Sequence, residues 1–338
     1  MKRKKSFAVF VIQKILLFVI SIVALSMLVF AMSRAAPGDP LVSYYGDQAE
    51  RMSTEQRDAA MDRLGLKKPV PEQYAIWVRH ALHGNFGISY KYKQDVMEVI
   101  SGRLANTLIL GGVGFVLTFL LALLLGIFCA GREGGPADTV LCRAGTVTSC
   151  IPEFWLSLIL ILVFSVTFRL LPSSGAFSYG QEGSVQNRIL HMILPLTVIV
   201  LSHLWYYAYL IRNRLLEETR MEYVLLGKSM GLTRRQIMNR HCVRNILPAY
   251  ISIMAISLPH VLEGTYIVEM VFSYPGLGTL SFESAKYHDY NMLMVLVILT
   301  GILVILGNIT GQAVSERIDT RMKPERHPEI GEEVTSRE

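Results

Sequence analysis

The stretch RNRLLEETRMEYVLLGKSMGLTRRQIMNRHCVRNILP, from Arg212 to Pro248, decides how this chain is read. It is a polar, basic interval set between two apolar runs. Leu216, Thr219, Tyr223, Leu226 and Met230 recur at spacings of three and four, which predicts one helical stripe. Gly231 offers that helix a C-terminus. Thr233 and Gln236 have the spacing of a capping box, and Leu232 and Ile237 that of the accompanying hydrophobic staple. A short amphipathic helix should therefore stop and turn before a second, basic helix begins. An articulated cationic hairpin between apolar runs reads as a docking handle for a soluble partner.

Working outward, 51% of the 338 residues are hydrophobic and the mean hydropathy is +0.38, above what a soluble domain usually carries. Six intervals approach the roughly twenty apolar residues that a membrane helix needs: 15–32, 107–130, 146–168, 189–211, 250–272 and 292–314. Their apolar runs are continuous rather than alternating, which predicts helices and not a barrel. Pro152 and Glu153 interrupt the start of the third, where a proline kink is expected and Glu153 is expected at a wetted interface. The MKRKK start precedes an apolar run too long for a signal-peptide core, so the first span is expected to stay uncleaved.

Charge sets the expected topology. With the N-terminus inside, the inside segments hold nineteen Lys and Arg, and the two short outside loops hold only Arg169, Arg188 and Lys286. That asymmetry predicts N-in/C-in. The layout is then 1–32, N-terminus and first span; 33–106, a large external segment; 107–314, the core, with the loop 212–248; and 315–338, a charged cytoplasmic tail. The basic residues are divided among four segments, which argues against a nucleic-acid partner. Cys129, Cys142, Cys150 and Cys242 all fall inside or within the membrane, so no external disulfide is expected. No phosphate-binding GxxxxGK[ST], HExxH or GxSxG is present, and no catalytic, cofactor or metal residues are assigned.

In the external segment, 59–64 and 72–82 read as helices, 84–87 as a turn, and 95–104 as an amphipathic helix leading into the second span. The segment is a folded cap, a contact surface for an extracytoplasmic partner, or both. Gly111, Gly112, Gly114 and Gly126 would let the second span approach its neighbours closely. In the fifth span His260 and Glu263 share a helix face, with Glu269 beyond them. Ionisable groups within a span are costly and point to function. These residues read either as a polar translocation path suited to a cationic or metal-bearing substrate or, for His260 and Glu263, as a pair that fixes packing.

Several motifs resemble one family. APGDP (36–40), LGL (64–66), Pro69, Gln73-Tyr74, Trp77, GNFGIS (84–89) and RLANTL (103–108) look like the external segment of ATP-binding-cassette importer permeases of the peptide/nickel class. LPSSG (171–175) and the FxxPGLG turn from Phe272 to Gly278 are similar to that family too. The 212–248 stretch resembles the family's coupling loop nearly end to end. Glu222, Tyr223, Val224, Gly227, Gly231 and Leu232 match its core, and Arg244, Asn245, Leu247 and Pro248 its end. The family usually has alanine at Gly227, small residues at His260 and Glu263, and Asp at Asn85.

The resemblance, over about residues 5–320, implies an all-α integral membrane fold. It has six transmembrane helices, N-in/C-in, with a cytoplasmic coupling helix between helices 4 and 5. It implies a multi-pass permease subunit in the cell membrane for peptides or nickel and other metal complexes. Its partners would be a second homologous permease, two cytoplasmic ATPase subunits that hydrolyse the ATP, and an extracytoplasmic solute-binding protein. Glu222, Tyr223, Val224, Gly227, Gly231, Leu232, Arg234 and Arg235 are then expected to couple to the ATPase, and His260, Glu263 and Glu269 to line the path. The competing reading is an ion-coupled secondary transporter using His260 and Glu263 as a relay.

Overall fold

The computed structural model describes residues 2–36, 41–148 and 150–318. Residues 37–40 of the APGDP motif, the tail from 319 onward and the side chain of Glu263 lie outside the described residues. The regular structure described is helical, with one isolated bridge between Ile88 and Asp95. In chain order the helices are α1 (Lys2–Ala35), α2 (Val42–Tyr45), α3 (Thr54–Arg63), α4 (Val70–Leu82), α5 (Val96–Ala130), α6 (Pro136–Thr148) and α7 (Glu153–Leu160). There follow α8 (Val185–Thr219), α9 (Glu222–Ser229), α10 (Arg234–Ile237), α11 (Val243–Val271), α12 (Leu277–Lys286) and α13 (Tyr290–Ile318). A π-helix extends α7 over Ile161–Thr167, and another joins α10 to α11 over Met238–Cys242.

Among the described residues, five helices are long and apolar enough to cross a membrane: Ile12–Ala35, Val96–Ala130, Val185–Thr219, Arg234–Val261 and Tyr290–Gly311. The third predicted span is different. Pro152 does not kink a helix; it stands at the N-cap of α7 with extended backbone, φ −62° and ψ 140°. Proline lacks an N–H and disfavours helix in the residue before it, so a helix start accommodates it better than a helix interior. The apolar helix that follows, Glu153–Thr167, reaches about 20 Å, short of the ~30 Å hydrocarbon core.

Close packing is built on small residues. A Cβ on Gly114 would stand 2.9 Å from Ile199 Cγ2, and one on Gly126 2.9 Å from Ile211 Cγ2, so α5 lies directly on α8. Gly112, by contrast, faces open space. Gly311 brings α13 against α11, where a Cβ would meet the Ala255 carbonyl at 2.7 Å. Phe119, Tyr207, Ile199 and Ile211 are buried in this core, with the Phe119 and Tyr207 rings 4.5 Å apart.

At one end of the bundle the 41–95 segment folds over the starts of α5 and α13. Both helices expected there form, as α3 and α4, and the predicted 95–104 helix runs unbroken into α5, with Asp95 accepting from Met97 N at 2.8 Å. The FxxPGLG turn leads into a helix the sequence reading did not anticipate, α12. Lys91 Nζ pairs with Glu283 on α12 at 2.6 Å, and the Tyr92 hydroxyl also donates to Glu283. Ser89 Oγ donates to the buried Asp289 at 2.5 Å. The 212–248 stretch occupies the opposite end.

Candidate coupling surface and intramembrane polar groups

Where the single stripe from Leu216 to Met230 suggested one helix, the structure has two. α8 runs on to Thr219, the chain breaks at Arg220 and Met221, and α9 starts afresh with Met221 extended at φ −74° and ψ 152°. The stripe is therefore split: Leu216 is buried on α8, whereas Leu226 and Met230 on α9 are 63% and 72% exposed. α9 closes in a Schellman motif, with Leu232 N donating to Gly227 O at 3.1 Å and Gly231 N to Lys228 O at 3.0 Å. Gly231 takes φ +81°, the left-handed conformation that glycine adopts without strain. The capping box forms: Gln236 N donates to Thr233 Oγ1 at 3.3 Å and Thr233 N to Gln236 Oε1 at 2.9 Å. The Leu232 and Ile237 side chains both lie over Gly227, where a Cβ would meet Ile237 Cδ1 at 3.4 Å and Leu232 Cδ1 at 3.6 Å.

Three contacts fasten this hairpin to the bundle. The Tyr223 hydroxyl donates to Glu218 Oε2 on α8 at 2.8 Å and lies 3.6 Å from Cys242 Sγ. Burial, then the hydrogen bonds to Cys242 and Glu218, push the Tyr223 phenol up from its ordinary range, so it remains a donor. Val224 is buried against the same core as Ile237 and Met238. Arg212 grips Asp138 of α6 through Nε at 2.7 Å and Nη2 at 2.6 Å, and Gly134 N adds a third hydrogen bond at 3.0 Å. The Arg212 hydrogen bonds hold the Asp138 carboxyl below its usual range, outweighing the effect of burial.

The eight predicted coupling residues thus divide. Tyr223, Val224, Gly227 and Leu232 are wholly or partly buried and hold the hairpin, while Glu222, Gly231, Arg234 and Arg235 are exposed. Arg234 Nη2 reaches back to the Ala130 carbonyl at the end of α5, at 3.4 Å. The expected coupling set left out Leu225, Leu226 and Met230, although the last two belong to the predicted stripe. Together they give α9 an outward apolar face, Leu225 being 64% exposed. Apolar side chains bunched in an otherwise charged stretch were the available signal.

Glu269, near the end of α11, lies inside the bundle. It is completely buried and accepts from Gly278 N in the first turn of α12 at 2.7 Å. Gly276 makes room for it: a Cβ there would lie 2.2 Å from Glu269 Cδ. A carboxylate at a helix N-terminus satisfies unpaired N–H groups and complements the helix dipole. His260 is exposed on α11, one turn from Gly264, and Glu263 lies on the same helix. Glu153 is mostly buried rather than wetted at an interface. Its Oε1 lies 3.8 Å from His203 Nδ1, and its two oxygens would stand 3.0 and 3.2 Å from a Cβ on Gly264. His203 Nδ1 lies 2.9 Å from the Ile199 carbonyl, which fixes Nδ1 as the donor. α7, α8 and α11 therefore bring a carboxylate and an imidazole together, a pairing with no local sequence signature. Among the described residues no group of three or more His, Cys, Asp or Glu could hold a metal ion.

The family described as "binding-protein-dependent transport system inner membrane component" matches residues 122–324, and its N-terminal companion matches 7–111. The chain belongs to this family. It is a multi-pass inner-membrane permease subunit of an ATP-binding-cassette importer of the peptide/nickel class, not an ion-coupled carrier. The permease is 29% identical over 317 residues to the oligopeptide transport system permease protein AppB of Bacillus subtilis, covering 94% of this chain and 99% of that one. It is 26% identical to the dipeptide transport system permease protein DppB of Escherichia coli, covering 89% of this chain and 94% of that one. It is also 26% identical to the metal-staphylopine import system permease protein CntB of Staphylococcus aureus, covering 93% and 98%. In fold it is similar to a chain of the inward-facing MetNI methionine ABC transporter, with TM-score 0.54 and 18% identity over 66% of this chain and 97% of that one. Permeases of this family work with ATPase subunits and solute-binding proteins.

Proposed function

We propose that this permease forms half of a translocation pathway, facing a second homologous permease, and that α9 is the element on which an ATPase subunit acts. One ATPase subunit engages each permease from the cytoplasm, and an extracytoplasmic solute-binding protein delivers cargo to the end built from 41–95 and α12. The basic 212–248 end is then cytoplasmic, with both chain termini on that side, and six segments cross the membrane, Glu153–Thr167 being the short one. The observation that carries this reading is the exposed apolar face of Leu225, Leu226 and Met230 on a helix fixed from behind by Tyr223 and Val224. A lever needs both properties. Its outer face must bind a partner, and its inner face must transmit the movement to α8 and α11.

Coupling requires that the ATPase make different contacts with α9 in the inward-open and outward-open states. ATP binding closes the two ATPases, α9 moves with them, and the continuous α10–π–α11 unit carries the movement into the membrane. Hydrolysis, performed by the partner chains and not by this one, resets the state. His260 faces the pathway from α11, the helix that also carries Glu263, and Glu269 holds α12 in place. The cargo is a peptide or a metal complex, by analogy with the named relatives. A cysteine introduced at Leu226 should crosslink to the ATPase subunit in membranes of cells expressing the whole importer. Crosslinking from Asn187, at the opposite end of α8, in its place would overturn the assignment.

A further inference from the structure

A cavity of about 630 Å³ opens beside the hairpin, between the last two turns of α5 and the start of α10. Its two walls differ in chemistry. Leu124, Ile127 and Phe128 of α5 form an apolar side, with Leu124 57% and Phe128 46% exposed. Arg132, Arg234 and Arg235 form the other, and among the described residues no carboxylate lines the cavity. The Arg132 guanidinium lies over the Phe128 ring, its Cζ 3.9 Å from the centroid. Arg234, hydrogen bonded to the Ala130 carbonyl, sits at the level where α5 ends. The apolar wall therefore belongs to the end of α5, one of the helices long and apolar enough to cross a membrane, and the arginines stand just beyond it.

We propose that this cavity is a binding site for an anionic phospholipid of the leaflet at this end of the bundle. Its phosphate lies among the three guanidinium groups and the first part of one acyl chain lies along Leu124 and Phe128. Charge complementarity selects the occupant. Three clustered guanidinium groups repel cationic and disfavour zwitterionic groups, and guanidinium forks match phosphate oxygens two at a time; Glu133, which follows Arg132 in the chain, lines the neighbouring cavity and pairs with Arg220 at 3.3 Å. Basic pockets of this kind, at the membrane surface and against spanning helices, are suited to acidic headgroups. The site goes beyond the coupling role. It takes Arg234 and Arg235 away from the ATPase-facing surface and makes them a membrane anchor for the start of the α10–π–α11 unit.

The test is native mass spectrometry of the importer carrying this permease, released from nanodiscs of phosphatidylglycerol or of phosphatidylcholine. Phosphatidylglycerol should be retained and phosphatidylcholine lost, and the R132Q/R234Q/R235Q variant should retain about tenfold less phosphatidylglycerol. R143Q/R240Q, which removes two arginines outside the cavity, should retain it like the parent. If the triple variant fails to accumulate, R132Q with R235Q reads the same outcome. Equal retention of both lipids, retention unchanged in the variants, or an acidic segment of a partner chain crosslinking to Arg132 in place of lipid would each overturn the proposal. Millimolar inorganic phosphate should not displace the bound lipid; displacement by phosphate alone would make this a free-anion site and reject the lipid.

Discussion

Arg212 and Asp138 are joined by two hydrogen bonds, 2.7 and 2.6 Å, although they lie on different helices and 74 positions apart in the chain. Arg212 opens the basic stretch that organises the molecule, and Asp138 is 4% exposed at its side chain. The pair locks α6 to α8 about two turns before α8 ends. Breaking a buried pair by removing one partner strands the other charge and costs about 3 kcal/mol. Asp138→Asn should therefore lower the thermal midpoint of the purified permease in detergent.

The same pair sets a pH dependence. The folded pKa of Asp138 lies below its unfolded value, which is close to 4. Its contribution is then fully present above the unfolded value and is lost as pH falls through the folded one. The stability gap between the parent and Asp138→Asn should be constant from about pH 7 to pH 5 and close below about pH 4. A gap that widens on acidification would contradict this.

Gly276 and Gly278 should fail differently. A Cβ on Gly278 meets the Tyr266 backbone, at 2.6 Å from Cα and 2.7 Å from O, whereas on Gly276 it meets only the end of the Glu269 side chain. Gly278→Ala should thus abolish accumulation in the membrane. Gly276→Ala should cost ~2 kcal/mol by overpacking, and adding Glu269→Ala should restore part of that loss. Thermal unfolding of both single variants and the double measures the coupling; strict additivity would show that the two sites do not touch.

The two glycines of the hairpin make a second contrast. A Cβ on Gly227 would find ordinary contacts with Ile237 and Leu232. Gly227→Ala should leave uptake intact and stabilise α9 by up to about 1 kcal/mol through helix propensity. Gly231 has φ +81°, so Gly231→Ala should cost about 1 kcal/mol. Gly231→Pro, which cannot adopt that φ and removes the N–H bonded to Lys228 O, should uncouple transport. Uptake assays on the three variants, normalised to membrane level, should rank them in that order.

Glu153 and His203 supply a test inside the membrane. Their junction with Gly264 is tight, so Gly264→Leu should block accumulation. Glu153→Gln keeps the shape and removes the charge. If the His260 face of α11 lines the path, Glu153→Gln should lower uptake of a cationic cargo more than that of a neutral one at equal permease levels. Equal effects on both would make the pair a packing contact.

The sequence disclosed the features that depend on neighbours in the chain. Thr233 and Gln236 cap α10 as their spacing requires, Gly231 ends α9, and the long apolar runs became helices. It misled where local pattern carries no information about hydrogen bonds or distant helices. The three-and-four spacing from Leu216 to Met230 persists across a break at Arg220 and Met221. Pro152 within an apolar interval reads as a kink, and only the helix around it shows it as a cap. Glu269 fits a translocation path in a sequence and a helix cap in three dimensions, because only folding brings Gly278 to it. The meeting of Glu153 with His203 needs three helices and has no trace in either stretch alone.

The central claim is that the apolar outer face of α9 transmits ATPase movement to the membrane helices. The direct measurement is cargo uptake and cargo-stimulated ATP hydrolysis by the reconstituted importer carrying Leu226→Asp and Met230→Asp. Both side chains are exposed, so the fold and the membrane level should be unchanged. The account predicts loss of uptake together with loss of stimulation. Uptake and stimulation equal to the parent's would contradict it.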